Sequence, residues 1–511
     1  MAYHYVDCDR DQMFLLPASM RDWLEAGHLA WFVIDVVARI NTDTFHARHP
    51  NDGAGRPAYN PDMMLALLFY AYGTGVRSSR RIEQLCHTDA AYRVICGHAT
   101  PDHATIARFT VDHETAIERV FVDVLRLCRE AGLATVATIA IDGTKMAADA
   151  ALDANRSATT IRAEVARILA EARTTDEVED AAPGLFGGGV APAELASPSS
   201  RRARLDAALA RIQAQEAAAV DAVDAKAGKA HTEAAAGRKL RGRKPKDPHA
   251  ALARAEADET AVRSRAQAKA ARRAAGANVP PAPIDDDPDV IAAVAAVAAA
   301  RTAADAAPPA VLRANTTDPE SRIMKTATGF VQGYNAQAAV NAHQIVVAAA
   351  VTQEANDVAQ YQPMITAART TLDAAGVSDP IDLVLADAGY WSEANATAEG
   401  PDRLIATLKD HKQRRAAREL GTTTGPPPEG ASPSDAMEHR LRTPEGAASY
   451  ALRSHTVEPV FADHKANRGY RGFRRRGMKA VQSEWSLINT CHNLGKLFRH
   501  RPGPATALAG T

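Results

Sequence analysis

Cysteine is scarce and unpaired in this chain: Cys8, Cys86, Cys96, Cys128 and Cys491 are scattered over 511 residues with no close pair. That excludes a disulfide framework and a cysteine-based zinc site, and suits free thiols in a reducing cytoplasm. The seventeen histidines show no ligand spacing with these cysteines. Net charge is also lacking, at −1, so the chain as a whole is not a basic nucleic-acid binder. Long apolar runs are missing too, the longest being interrupted by Asn341, His343 and Gln344. No membrane span is therefore expected, and no secretory signal is read at the start, which leads to an expected cytoplasmic location.

At this length the chain can hold two or three domains with cores of their own. Residues 1–130 read as a helical N-terminal domain, with Met63 to Tyr70 following Pro61 at a helix start and Ser78 capping another. Short helices joined at Gly73, Gly75, Gly97 and Pro101-Asp102 permit a DNA-binding helix-turn-helix with Thr105 to Phe109 as its reading helix. A plain helical bundle fits the same pattern. Residues 147–315 form an insertion rich in Ala, Arg, Glu and Asp with almost no aromatics, broken at Gly187 to Gly189 and near Pro280. Such a composition makes solvated helices or disorder rather than a core. Within it, Gly237 to Lys246 has the form of an AT-hook core, with a solvated basic linker as the alternative. Strand character occupies 131–146 and resumes over 316–500, and 501–511 reads as a flexible tail.

Three acids carry the chemistry. Asp142 closes the β-branched run from Val136 to Ile141, and Asp387 closes another from Ile381 to Ala386, each before a Gly-containing turn. Short apolar runs of this kind read as buried strands, whose carboxyl ends are where α/β proteins gather catalytic groups. Glu458 lies in a segment that reads as a helix, and Lys465 follows two turns later on the same face. Tyr450 and Arg453 precede it. From Lys465 to Lys479 there are seven cations and no acid: Lys465, Arg468, Arg471, Arg474, Arg475, Arg476 and Lys479. Cations of this density release counterions from phosphates, and the interleaved Tyr470 and Phe473 can stack on unpaired bases.

The motifs Ile141-Asp-Gly-Thr-Lys145, Leu385-Ala-Asp-Ala-Gly-Tyr390 and Thr456 to Lys465 resemble the DDE transposases of bacterial insertion sequences. The resemblance extends through Asn467 to Phe473, Glu484 to Asn489, His492 to Leu494, Gly55 to Pro57 and Val76 to Arg80. One departure is a spacing of four residues between Arg453 and Glu458, where the family signature has three. The resemblance implies an α/β fold with an RNase H-like mixed sheet and flanking helices, entered by a long insertion after the first strand. It implies further that Asp142, Asp387 and Glu458 are catalytic metal ligands. Tyr450, Arg453, Lys465, Arg468, Arg471, Arg474, Arg475, Arg476 and Lys479 would contact DNA.

Two Mg²⁺ ions, with Mn²⁺ as an alternative, suit an all-carboxylate donor set. One ion would deprotonate a water that cuts the element's end, and the freed 3′-hydroxyl would then attack target DNA. Expected partners are terminal inverted repeats, target DNA and a second copy of the chain in a synaptic homodimer, with a nucleoid-associated location. A nuclease that only hydrolyses, or a non-catalytic DNA-binding remnant, are the alternative readings. Asp382, Asp463 and Glu484 are rival acids. Tyr390 and Trp391, next to Asp387, could pack in the core or stack on an extruded base.

Overall fold

The computed structural model describes residues 19–47, 58–181, 201–235, 245, 247–277, 283–307, 311–408 and 421–501. The Gly55 to Pro57 motif, the glycines at 187–189, most of the AT-hook-like segment, Pro280, Cys8 and the expected tail from 502 onward lie outside the described residues. The chain divides into two compact units, Met1–Leu152 with Glu320–Thr511, and Asp153–Pro319. The helices before the first strand thus belong to the same unit as the sheet. No helix among the described residues is long and apolar enough to cross a membrane.

Among the described residues the strands are β1 Thr138–Ala147, β2 Asn155–Ser157, β3 Arg313–Asn315, β4 Arg322–Thr326, β5 Gly329–Asn341, β6 Val346–Thr352, β7 Leu383–Ala386 and β8 Asp402–Ile405. In the larger unit the order is β4-β5-β1-β7-β8, with β6 also paired to β5. β5 is antiparallel to β1, β4 and β6, whereas β7 and β8 run parallel to β1 and to each other. This is the mixed sheet of an RNase H-like domain. The β5–β6 pair turns over Asn341 to Ile345, where the Asn341 side chain accepts from the amides of His343 and Ile345.

β1 does not stop at Asp142 as its sequence suggests. It pairs with β5 as far as Ala147, while β7 accompanies it only from Thr138 to Ile141, opposite Leu383 to Ala386. Asp142 is therefore the first β1 residue beyond its parallel neighbour, and Asp387 the first residue beyond β7. A purely local reading of the apolar run sees where burial between two neighbours ends, and mistakes it for the end of the strand.

The helix Met478–His500 covers the sheet with Trp485, Leu487, Ile488, Leu494 and Leu497, all buried. Its polar residues close the free edge of β6. Asn493 accepts from Val346 N at 2.8 Å and donates to Val346 O at 2.8 Å, and Gln482 does the same for Val351 N and Ala349 O. An open strand edge invites pairing with other chains, and these amides satisfy it with side chains. Asn493, which has no obvious role in the sequence, thus has a structural one.

The N-terminal helices include Pro61–Gly73, capped by Asn60, and Ser79–Thr88. Ser78 occupies the cap position of the second, but its side chain makes no capping bond. In the helix His103–Asp112, Ile106 and Phe109 of the expected reading segment are buried, which leaves Ala104, Ala107, Arg108 and Val111 on its open face. Cys86 and Cys96, apart in sequence, bring their sulfurs to 3.7 Å as buried free thiols.

In the smaller unit the helices Ala158–Ala181, Arg201–Ala235, Pro248–Ala277 and Pro288–Asp305 accompany an antiparallel β2–β3 pair. The composition predicts no core here, yet Ile161, Ile168, Leu205, Ala208, Ile212 and Ala314 form a small buried cluster. A few large aliphatics at helical spacing suffice when alanine lets the helices approach closely.

Candidate active site

Asp142 and Asp387 stand side by side because Ile141 and Ala386 are paired in parallel register and each acid follows by one residue. Asp142 Oδ1 accepts from the amide of Gly143 and Asp387 Oδ1 from that of Gly389, both at 2.8 Å. Glu458 arrives on the helix Pro444–Ala462. Pro459 within that helix cannot donate to the carbonyl of His455, which instead accepts from the Gln344 side chain at 2.7 Å. Arg453, one turn earlier, links two acids: its Nη2 donates to Asp142 Oδ2 at 2.6 Å and its Nη1 to Glu458 Oε1 at 3.0 Å. A single guanidinium therefore spans the first and third acids of the sequence reading.

The electrostatics of the cluster are those of crowded carboxylates. Burial pushes the Asp142 carboxyl up to about 7; Arg453 opposes this, while the charges of Asp387 and Asp357 reinforce it. Burial lowers the Lys465 ammonium, against the pull of Asp142. Lys465 lies in a π-helical turn, Asp463–Asn467, beyond the end of the regular helix, and its ammonium bonds the hydroxyl of Thr144 on β1. Tyr450 donates to the carbonyl of Ala386 at 3.3 Å, bracing the chain just before Asp387. Glu458, at 55% side-chain exposure, is the open side of the group.

The basic run divides in two. Arg471, Arg474, Arg476 and Lys479 are exposed, though Arg476 also pairs with Asp149 at 2.8 Å, and Lys479 retains 72% side-chain exposure beside Glu114. Arg468 pairs with Asp463 at 3.0 Å, and Arg475 is bound to Glu114 and to the carbonyl of Thr110, so both are largely committed within the protein. Tyr470 and Phe473 are buried, which removes them as stacking surfaces for bases. Their alternation with charges marks a segment that turns one side inward. Tyr390 is buried as well, and its hydroxyl donates to Gln337 Oε1; Trp391 is partly buried against the core. Arg474 and Arg476 line a cleft of about 830 Å³ together with Ser78, Ser79, Val111 and Asp149.

The rival acids have other occupations. Asp382 lies just before β7, with its amide bonded to Ala137 O. Glu484 is fully buried, accepting from Arg77 Nη1 at 3.0 Å and from the amides of Arg474 and Arg475. Asp463 groups with His464 and His492, their ligand atoms lying within 4.8 Å of one another. Arg468 already balances that carboxylate, His492 Nε2 contacts the carbonyl of Gln344 at 2.9 Å, and His464 Nε2 contacts Asn489 Oδ1 at 3.2 Å. Burial pushes the His464 imidazole down to about 3 and lowers His492 also, against its bond to Asp463. The group is a buried polar brace between two helical segments.

One acid at the centre escapes the sequence reading. Asp357, in the loop after β6, accepts at Oδ1 from Asn335 Nδ2 at 2.7 Å, Gln337 Nε2 at 2.8 Å and Lys145 Nζ at 3.3 Å. No apolar run leads into it. The signal that points to it is Asn335 and Gln337, two fully buried amides on β5, since buried amides require partners.

The mixed RNase H-like sheet carries Asp142 within β1, one residue past its pairing with β7, Asp387 just after β7 and Glu458 on a following helix, an arrangement of the DDE nucleic-acid-processing class. Residues 18–112 match a family described as a transposase domain (DUF772), and residues 413–498 match the transposase DDE domain. Both matched segments are transposase domains, and together they support a DDE transposase of an insertion sequence. No curated protein and no solved structure matches the chain.

Proposed function

We propose that this transposase cuts DNA at the ends of its own mobile element and joins the freed 3′ ends to target DNA, using Asp142, Asp387 and Glu458 as its catalytic carboxylates. The observation that carries the reading is the register: Asp142 and Asp387 lie one step past a paired Ile141 and Ala386, and Arg453 ties Asp142 to Glu458. DDE transposase domains use divalent metals, and the donor set here consists of carboxylate oxygens, the ligands that hard cations prefer. Two Mg²⁺ ions are the proposed complement, and Mn²⁺ would fit the same oxygens.

A divalent cation held there supplies compensation for phosphoryl charge and a lowered pKa for bound water. The protein's own groups do the rest. Lys465 presents a cation beside β1, where a phosphate next to the scissile bond would lie. Arg453 keeps Asp142 and Glu458 on one side of the sheet end. Arg471, Arg474, Arg476 and Lys479 offer a phosphate-binding surface, and pairing of two element ends calls for a homodimer. In strand transfer the attacking 3′-oxygen forms one phosphodiester bond as the target's own 3′-oxygen leaves, so no outside energy source is needed.

The test is an assay of the full chain with Mg²⁺, oligonucleotides carrying the element ends and a supercoiled target. Joined products are expected; hydrolysis without joining would reduce the reading to a nuclease, and no metal-dependent cutting would overturn it. A second expectation concerns the basic surface. Changing Arg471, Arg474 and Arg476 together to Glu should weaken binding to all DNA sequences by at least about tenfold, and flatten the salt dependence by roughly 0.9 in log–log slope per lost phosphate contact. A changed sequence preference with unchanged salt slope would count against that surface.

A further inference from the structure

We propose that Asp357 is a fourth carboxylate of the catalytic centre and binds a divalent cation together with Asp387. The inference rests on the reading of Asp142 and Asp387 as metal ligands and adds a residue to that set.

Two glycines make room for Asp357. A Cβ on Gly143 would stand 2.5 Å from Asp357 Oδ1, and a Cβ on Gly389 would stand 3.1 Å from Asp357 Oδ2 and 2.8 Å from Asp387 Oδ1. Real Cβ atoms essentially never approach other atoms as closely as the first of these. The residue after Asp142 and the second residue after Asp387 therefore admit the Asp357 carboxylate between them only because they lack side chains. The two oxygens nearest Gly389 belong to different acids and share the space that its missing side chain leaves.

The carboxylate is oriented unequally. Oδ1 takes three donors, from Asn335, Gln337 and Lys145. Oδ2 is the oxygen on the Gly389 side, toward Asp387. Gln337 is itself fixed by the Tyr390 hydroxyl, and Asn335 donates a second bond to the carbonyl of Glu354 at 3.1 Å. One oxygen is thus clamped by groups of β1 and β5 while the other is presented to the acid cluster. Outer partners of this kind are how proteins fix a ligating carboxylate.

An independent observation points the same way. Asn335 is wholly buried, yet its Oδ1 has no hydrogen-bond donor among the described residues. That oxygen lies 3.0 Å from where a Cβ on Gly143 would stand, on the side occupied by Asp357 Oδ1. A buried acceptor left open is costly unless something donates to it. Water bound to a hard cation is such a donor, because these ions keep part of their hydration shell.

The experiment is a Mn²⁺ titration of the full-length chain without DNA, read by electron paramagnetic resonance, for the wild type, Asp142→Asn, Asp387→Asn and Asp357→Asn. Thermal unfolding of each is recorded in parallel. Asp357→Asn is expected to weaken Mn²⁺ binding at least tenfold while keeping a cooperative unfolding transition. Wild-type affinity in Asp357→Asn, with affinity lost in Asp142→Asn and Asp387→Asn, would overturn this inference alone. Affinity unchanged in all three would overturn the underlying reading of the site. Should Asp357→Asn lose its unfolding transition, Fe²⁺-directed hydroxyl-radical cleavage of the wild type decides. Cuts beside Asp357 as well as Asp387 support the assignment, and cuts beside Asp387 without any beside Asp357 refute it.

Discussion

Asp142→Asn, Asp387→Asn and Glu458→Gln are each expected to lower metal-dependent cleavage of element-end DNA by at least about a thousandfold, a loss of several kcal/mol at the transition state. Each substitution keeps size and hydrogen-bonding capacity nearly constant and removes one anionic oxygen from the cluster. For Asp142 the geometry limits collateral damage: Arg453 retains Glu458 as a partner, and the Gly143 amide can still be bonded by the amide oxygen. DNA binding should stay within about threefold, because no cation is lost from the proposed phosphate-binding surface. Cleavage and gel-shift assays on the same preparations separate the two effects. Any one variant that cuts at the wild-type rate removes its residue from the catalytic set.

Glu484→Ala is expected to destabilise the larger unit by about 3–5 kcal/mol without touching the acid cluster. Glu484 and Arg77 are both nearly inaccessible, and the carboxylate also accepts the amides of Arg474 and Arg475. Burial raises its carboxyl above the ordinary value, against Arg77 and those amides, so the pair gains little over two well-packed apolar residues. Removing one partner is a different matter. Alanine leaves the Arg77 guanidinium buried with the Gly472 carbonyl at 2.7 Å and the Tyr470 ring as its remaining contacts, and strands two amides. Glu484→Gln retains an acceptor and should fall between wild type and alanine. Urea unfolding midpoints of the three proteins check the order; an alanine variant within about 1 kcal/mol of wild type would show that the site relaxes or hydrates.

This result bears on the basic segment. Because Glu484 holds the backbone of Arg474 and Arg475, it fixes where Arg474 and Arg476 leave the surface, although it contacts no phosphate in the proposed reading. Its appearance among the candidate acids follows from the sequence showing a Glu near a cationic run. Only burial reveals that its charge is spent on the protein's own amides.

Several parts of the molecule are legible from residue order. Apolar runs of β-branched residues marked β1 and β7, because strands buried on both faces have no room for polar alternation. Two apolar stretches flank the short polar break at Asn341 to Gln344, the pattern of the β5–β6 hairpin, and Trp485 with Ile488, like Leu494 with Leu497, stand three apart, the spacing of neighbours on a helix. Other parts are not. The extent of β1 past Asp142 depends on β5, which is nearly two hundred positions away in sequence. The commitment of Arg475 to Glu114, and the burial of Tyr470 and Phe473, depend on helices that the local pattern does not name.

The sequence by itself determined the apolar strand segments that lead into Asp142 and Asp387, the helix that carries Glu458, and the cationic run after it, because these are set by local periodicity, apolar content and charge. The tertiary structure alone decided that Arg453 joins two of the acids, that Glu484 is a buried brace, and that Asp357 reaches the centre between Gly143 and Gly389. Each of these depends on which distant backbone comes close enough to bond. Proximity of that kind is a property of the packed sheet, and no local run of residues encodes it.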